Sequence, residues 1–391
     1  MGSSILTGTE LATLRSRFPI TSTHTYLNHA GMCAPPRESA RAAADLAHLH
    51  SATADLRWLE RNRRFEEVRA LAARLMGAAR PEEVAFLGNT SDALSVVAAG
   101  LDWREGDNIV GAEGEYPSNV YPWLALGRQG VEYRTAKERG GRIDPQELVD
   151  RMDDRTRVLA LSWVQFATGD RADLAALGAE CRRRDVLFVV DAIQGLGVLR
   201  LDVEAAGVDV VASGTHKWLL GPEGLGLLYI SDRVVERIRP LRAGWRSVED
   251  MFEWGKIDLT WNDGAKRHEP GTLPALAILA LGASLELLHE VGPERIEERA
   301  LALARRAAEG LAERGFELLR GGREIDAPAQ ERSSIVTAVH PKVEAREIEA
   351  ALKERGIVAA ARVGRFRVSP HFYNTEAEID RLLGALDEIL G

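Results

Sequence analysis

The sequence predicts an α/β protein: a large domain on a mostly parallel sheet covered by helices on both faces, then a smaller C-terminal α+β domain. Three observations carry this. Short strands and amphipathic helices alternate through the middle of the chain. Those strands are apolar on both faces, as buried parallel strands are and half-exposed antiparallel ones are not. Near residue 270 the alternation stops and two long helices begin.

In order, Val84–Leu87, Asn108–Gly111, Val158–Ser162, Leu187–Val190, Val208–Ala212 and Gly226–Ile230 read as strands. Helical stretches lie between them at Ser91–Leu101, Tyr121–Gly130 and Asp173–Arg184. Long helices follow at Leu273–Glu290 and Pro293–Arg314. The chain closes with a strand at Ser334–Val339, a helix at Arg346–Arg355, strands at Ala359–Ala361 and Phe366–Ser369, and a helix at Glu376–Leu390. The expected division is an N-terminal segment, 1–20, packing on the small domain, a large domain, 21–270, and a small domain, 271–391.

Bulk properties narrow the function. A net charge of −9 argues against a nucleic-acid partner. The arginine-rich stretches Arg61–Arg64 and Arg182–Arg184 have acids nearby and read as solvated helix faces. No run of about 18 apolar residues suggests a membrane span. Met1-Gly2-Ser3-Ser4 lacks the basic start and apolar run of a secretory signal. With only Cys33 and Cys181, neither a disulfide framework nor a zinc site is expected, and a cytoplasmic protein is.

Four segments carry chemistry. Lys217, in Ala212-Ser213-Gly214-Thr215-His216-Lys217-Trp218, follows a strand and precedes the glycine-rich Gly221–Gly226. Loops at the carboxyl ends of parallel strands are where α/β proteins bind ligands, and a buried lysine is a usable amine nucleophile. Alternatively it is an ordinary surface lysine. In Val189-Val190-Asp191-Ala192-Ile193-Gln194 an apolar strand ends in a carboxylate, with an amide three residues on; a helix cap is the plain alternative. Gly88-Asn89-Thr90-Ser91-Asp92 opens a helix and offers hydroxyls and free backbone amides to an anion, or simply caps the helix. Tyr116, in Glu115-Tyr116-Pro117-Ser118-Asn119, offers a ring for stacking or packs within its loop.

The ordered set Asp191–Gln194, His216-Lys217-Trp218 and Gly221–Gly226 resembles the class V aminotransferases of pyridoxal-phosphate (PLP) fold-type I. That group includes cysteine desulfurases, isopenicillin-N epimerase-like proteins and a cystine C–S lyase. The resemblance spans nearly the whole chain, from Tyr26–Gly31 to Ser369–Leu386. It implies that Lys217 holds PLP as a Schiff base and is the catalytic residue. It implies that Asp191 pairs with the pyridine nitrogen and Gln194 with the ring oxygen. Thr90, Ser91 and His216 match phosphate-binding positions, and Tyr116 falls at a ring-stacking position. Gln165 falls near a position that contacts the ring. Thr272 matches a threonine that reaches the neighbouring subunit's phosphate, which implies a homodimer with shared active sites. Arg367 matches the arginine that grips the α-carboxylate of an amino-acid substrate, with Arg362 close by and Asn28 and Ala30 lining the substrate side.

Two departures stand out. The serine three residues before the lysine in relatives is Gly214 here, which leaves Thr215 or Ser213 as the hydroxyl near the phosphate. Cysteine desulfurases carry a mobile cysteine in the small domain, but Arg362-Val363-Gly364 runs almost directly into Arg365-Phe366-Arg367, and no cysteine follows Cys181. Cys33 reads as buried and inert. The expected activity is therefore β-elimination from a cysteine- or cystine-type amino acid without an enzyme persulfide. An aminotransferase or epimerase is the alternative. A non-catalytic scaffold would have lost Lys217 or Asp191, and both are present.

Overall fold

A computed structural model describes residues 6, 8–54, 56–253 and 255–391. Residues 1–5 and 7 of the expected N-terminal segment lie outside them.

The large sheet has seven strands in the order Val84–Leu87, Gly226–Ile230, Val210–Gly214, Leu187–Asp191, Thr156–Ser162, Asn108–Ala112, Glu132–Ala136. Only Gly226–Ile230 runs against its neighbours. Five of these strands are buried from end to end, as the unbroken Val/Leu/Ile runs require. The edge strand Glu132–Ala136 is absent from the sequence reading. Its Glu132-Tyr133-Arg134-Thr135 is polar and partly exposed, so it lacks the apolar signature. The strand expected at Val208–Ala212 instead covers Val210–Gly214, because Ser213 and Gly214 still pair with Leu227 and Gly226. The helix expected over Tyr121–Gly130 is one α-turn, Tyr121–Leu124, and then a tighter helix, Ala125–Gln129.

The small domain is built on a four-stranded antiparallel sheet, Glu317–Leu318, Val336–Val339, Arg365–Val368 and Ala360–Arg362 in spatial order. The helices Pro293–Glu313, Ala345–Glu354 and Glu376–Leu390 share a core with it through Leu303, Leu311, Ile348, Phe366 and Leu382. By packing, the division drawn at 270/271 shifts. The helix Ala275–Val291 buries Ile278, Leu281 and Leu285 in the large domain's core, so the small-domain core begins within the next helix. The N-terminal segment bridges both. Leu11, Leu14 and Phe18 join the large core, while Arg15 donates to Glu378 and to the Tyr373 carbonyl, both at 2.7 Å.

Among the described residues no single helix is long and apolar enough to cross a membrane. The bent pair Ala275–Val291 and Pro293–Glu313 passes only jointly, and its apolar face is core.

Candidate active site

Register brings the chemistry to one end of the sheet. Asp191 is the last residue of its strand, level with Ser162 on one side and Ala212 on the other. Lys217 lies three residues beyond the end of the adjacent strand. The helix Thr90–Gly100 starts against the same edge, with the Asn89 side chain accepting from the Asp92 amide at 2.9 Å. Thr90 Oγ1 accepts from the Gly214 amide at 2.8 Å, which ties this helix start to the lysine loop. Gly226 permits that approach: a Cβ there would stand 2.8 Å from the Asn89 backbone.

These ends enclose a cavity of about 290 Å³. Its walls include Ala30, Thr90, Ser91, Tyr116, Asp191, Gln194, His216, Lys217, Arg362 and Arg367. Ten of the sequence-predicted residues thus meet in one place, although they span more than three hundred positions of chain.

Burial sets the electrostatics. Lys217 is 9 % exposed. Burial lowers its ammonium pKa to about 8, with Asp191 opposing and Arg367 and Arg362 adding to the fall. Burial likewise pushes the Asp191 carboxyl up to about 7, although the Ile193 amide donates to it at 3.0 Å. A buried carboxylate in this state is completed by a cationic partner such as a protonated ring nitrogen. The Lys217 ammonium nitrogen stands 5.6 Å from the centre of the Tyr116 ring, which is 46 % exposed.

Arg367 faces the cavity from the small domain, only 1 % exposed. It donates to the Phe166 carbonyl at 2.8 Å and to Asn28 Oδ1 at 3.4 Å, and its Nε has no hydrogen-bond partner. Burial, with Arg362 second, lowers its pKa to about 10. A desolvated guanidinium with unused donors is a carboxylate receptor. Asn28 bridges to Ser369, and Ala30 accepts from Gln194 Nε2 at 3.0 Å. The stretch Asn28–Ala30 is therefore pinned between the two domains at the site's edge.

Four expected site residues are not in the cavity wall: Asn28, which stands behind it as an acceptor for Arg367, and three that stand elsewhere. Gln165 is buried with its Nε2 donating to Glu115 Oε1 at 2.7 Å, outside the Lys217 cavity; its neighbour Phe166 lines the wall instead. Thr215 turns inward, and its hydroxyl donates to the Pro222 carbonyl at 2.5 Å, fixing the glycine-rich loop. The alternative hydroxyl, Ser213, donates to the Gly214 carbonyl at 3.1 Å. Thr272 lines a separate cleft beside Trp245 and Arg246. Gln194 remains in the cavity wall but is partly committed, since its Oε1 accepts from Trp218 Nε1 at 2.9 Å. One amide N–H is left for a ligand.

Sequence reasoning missed Glu115, Ser118 and Phe166. Ser118 meets Ser91, hydroxyl to hydroxyl, at 2.7 Å and faces the cavity. Phe166 packs edge-on to Tyr116 with centroids 5.2 Å apart. Glu115 is buried and accepts from the Ser162 amide at 2.7 Å, the Ser162 hydroxyl, Gln165, and Asn119 at 3.2 Å. Ser118 and Glu115 sit in the very segment that Tyr116 singled out, whereas nothing local to Phe166 marked it.

An anion-ready helix start, a strand-end carboxyl, a lysine of lowered pKa and an aromatic wall fit PLP. The aminotransferase class-V family model matches residues 43–382. The chain belongs to the class V aminotransferase family. A relative from Methanothermobacter thermautotrophicus described as a probable cysteine desulfurase is 29 % identical over 97 % of this chain and 98 % of its own. An uncharacterized aminotransferase, YcbU, from Bacillus subtilis is 29 % identical over 96 % of each. Among solved structures, the apo cysteine desulfurase from Thermococcus onnurineus superposes with a TM-score of 0.86 at 24 % identity, covering 97 % of this chain and 98 % of that one, a likeness of fold. A lysine-to-alanine variant of C-DES with glycine covalently linked to its PLP cofactor gives 0.87 at 25 % identity over 95 % and 98 %. This class V family member is a PLP-dependent enzyme of fold-type I, akin to cysteine desulfurases and C–S lyases.

Proposed function

We propose that this enzyme is a β-elimination C–S lyase acting on cysteine- or cystine-type amino acids without an enzyme persulfide. The observation that carries it is the joint between Ala360–Arg362 and Arg365–Val368. These strands are linked by two residues, Val363 and Gly364, both at positive φ (51° and 72°), which is a tight hairpin turn with no room for a thiol-bearing loop. Both cysteines are buried, and burial pushes each thiol up to about 12, far from a reactive thiolate. Cys33 Sγ is further held at 3.3 Å from the Gly221 carbonyl.

In this reading Lys217 would hold the cofactor and, as a free amine, would serve as the base for the α-proton. The bound cofactor supplies an electron sink for charge developing at Cα. Arg367 takes the α-carboxylate and so orients the Cα–H bond. Asp191 would hold a proton on the ring nitrogen. Thr90, Ser91, Ser118 and His216 supply donors at the phosphate end. Phe166 and Tyr116 wall the cavity and keep water from the reacting carbon. Loss of the α-proton and of the β-sulfur substituent, then hydrolysis, gives pyruvate, ammonia and the sulfur product.

The same reading includes a homodimer in which Thr272 reaches the partner's site. An aminotransferase acting on an α-amino acid is the second reading, favoured by the likeness to YcbU. Assays of the holoenzyme with cystine, cysteine and a panel of other amino acids separate them. Pyruvate with sulfide or persulfide is expected, with full activity in a Cys33→Ala/Cys181→Ala double variant. Release of no sulfur product from any sulfur amino acid, alongside amino transfer to a keto acid, would replace the lyase by the aminotransferase.

A further inference from the structure

Glu115 is buried behind the Lys217 cavity rather than in its wall, and its carboxylate is fully engaged. Oε1 accepts from the Ser162 amide and from Gln165 Nε2, both at 2.7 Å. Oε2 accepts from the Ser162 hydroxyl and from Asn119 Nδ2, the latter at 3.2 Å. Three of these four donors are N–H groups, which cannot accept in return. Burial raises the Glu115 pKa, and all four contacts oppose it. A buried acid matched to donors at every position is held for a structural purpose, because each donor would otherwise be left unpaired.

Ser162 anchors the carboxylate level with Asp191 in the sheet. The other two partners lead to opposite ends of the cavity. Gln165 opens a closed turn: its amide donates to the Asp170 carbonyl at 2.9 Å, and its carbonyl accepts from the Gly169 amide at 2.8 Å. The small domain docks on that turn. Ser333 donates to the Gly169 carbonyl at 2.7 Å, and Arg367 Nη1 donates to the Phe166 carbonyl at 2.8 Å. The bond from Gln165 to Glu115 thus ties the turn that holds Arg367 to the large domain.

Asn119 leads the other way. Its Oδ1 accepts from Trp123 Nε1 at 3.1 Å, which fixes the side chain with Nδ2 facing Glu115. Its main-chain amide donates to the Tyr116 carbonyl at 2.8 Å and closes the turn Pro117–Asn119. Ser118, inside that turn, meets Ser91 in the first turn of the helix Thr90–Gly100, hydroxyl to hydroxyl at 2.7 Å.

We propose that Glu115 is a positioning residue for both ends of the bound molecule. Through Gln165 and the Phe166 carbonyl it sets Arg367 for the α-carboxylate, and through Asn119 it sets Ser118 for the cofactor phosphate. Glu115 itself touches neither. Both links rest on the roles of Arg367 and Ser118 proposed above.

Two binding ratios read the two ends without turnover. L-alanine against ethylamine, titrated into the PLP-loaded enzyme and followed by the cofactor's absorbance, reads the carboxylate end. PLP against pyridoxal, titrated into the cofactor-free enzyme, reads the phosphate end. A general loosening of the fold weakens both members of a pair and leaves their ratio in place. In the native protein alanine binds at least about tenfold more tightly than ethylamine, the scale of a charge-assisted contact. Gln165→Met keeps the side chain's length and removes its donor, so the alanine ratio falls about fivefold, the scale of one hydrogen bond, while the PLP ratio holds. Glu115→Gln keeps an oxygen for Ser162 and Gln165 but turns an amide NH2 onto Asn119 Nδ2, donor against donor. The PLP ratio then falls about fivefold, and adding Asn119→Asp, which supplies the missing acceptor, restores it. Asn119→Ala, which cuts the same bond from its other side, stands in if Glu115→Gln does not fold. An unchanged alanine ratio in Gln165→Met overturns the Gln165 link. An unchanged PLP ratio in Glu115→Gln, or a fall that Asn119→Asp does not restore, overturns the Asn119 link. Failures of the underlying roles look different. Equal binding of alanine and ethylamine by the native protein overturns the role of Arg367, and a native PLP ratio in Ser118→Ala overturns that of Ser118, each taking its own link with it.

Discussion

At the scale of single residues, one force, burial, tunes Lys217 and Asp191 in opposite chemical senses. It makes the lysine a better amine and the carboxyl a weaker acid. The sign for Lys217 is definite. A lowered pKa means the neutral amine prevails above about pH 8, whereas a solvated lysine would need about pH 10.4. Loading of PLP onto the cofactor-free enzyme, followed by absorbance, is therefore expected to accelerate with a midpoint near pH 8. A midpoint two units higher would mean that Lys217 is solvated before the cofactor arrives. Arg367 shows the limit of residue-level reading. Its place in the closing strand was legible, but its unused Nε and its contact with the Phe166 carbonyl depend on a loop two hundred residues away.

At the scale of elements, the site is made of ends. The strand ends at Asp191 and Gly214 and the helix start at Thr90 were visible as apolar runs stopping at polar or glycine-rich punctuation. The tight turn at Val363–Gly364 was also visible, as a missing loop. Hidden from the sequence was the use of each polar side chain once the ends met. Thr215 and Gln165 have the right chemistry in the right place along the chain, but their hydroxyl and amide are spent on the Pro222 carbonyl and on Glu115. Asn89 went unassigned because its neighbours drew attention, yet it is the residue that caps the helix. Asn89→Ala should cost about 1 kcal/mol of stability, the usual worth of such a cap. It should also weaken PLP binding, since the helix start loses its fixed geometry. Denaturant unfolding and a cofactor titration would each show it, and an unchanged unfolding midpoint would mean that the Gly214 contact alone holds this turn.

At the scale of the whole molecule, the domains are joined through buried polar groups. Arg299 donates to the carbonyls of Leu6, Phe372 and Asn374 and meets Glu376, so one guanidinium ties the N-terminal segment to the start of the last helix. His29, next to Asn28, bonds the Ser369 carbonyl at 2.9 Å and the Tyr373 hydroxyl at 2.6 Å across the domain junction. Burial lowers the pKa of His29 and His268 to about 4 and holds that of His371 well below its usual value. Such a histidine takes up its proton first in the unfolded chain, so its contribution is complete at neutral pH and is lost as pH falls from about 6.5 toward 4. For His29 this amounts to about 2 kcal/mol at pH 5. Thermal melts of the cofactor-free enzyme should drop sharply between pH 7 and pH 5, and the drop should be shallower in His29→Gln. An identical slope in that variant would remove His29 from the account.

The amino-acid sequence by itself determined the fold class, the sheet's buried strands, the family and the lysine, carboxyl and arginine that line one cavity. These are local in origin: an apolar run, a chain break, a charged residue at an element's end. Tertiary structure decided which of the remaining polar side chains face the cavity and which are consumed in holding it, and it moved the helix after residue 270 into the large domain. It also set Arg69 on both oxygens of Glu269, two hundred positions along the chain. No stretch of sequence encodes that pairing, because a hydrogen bond or an ion pair belongs to two positions at once and only folding sets which two.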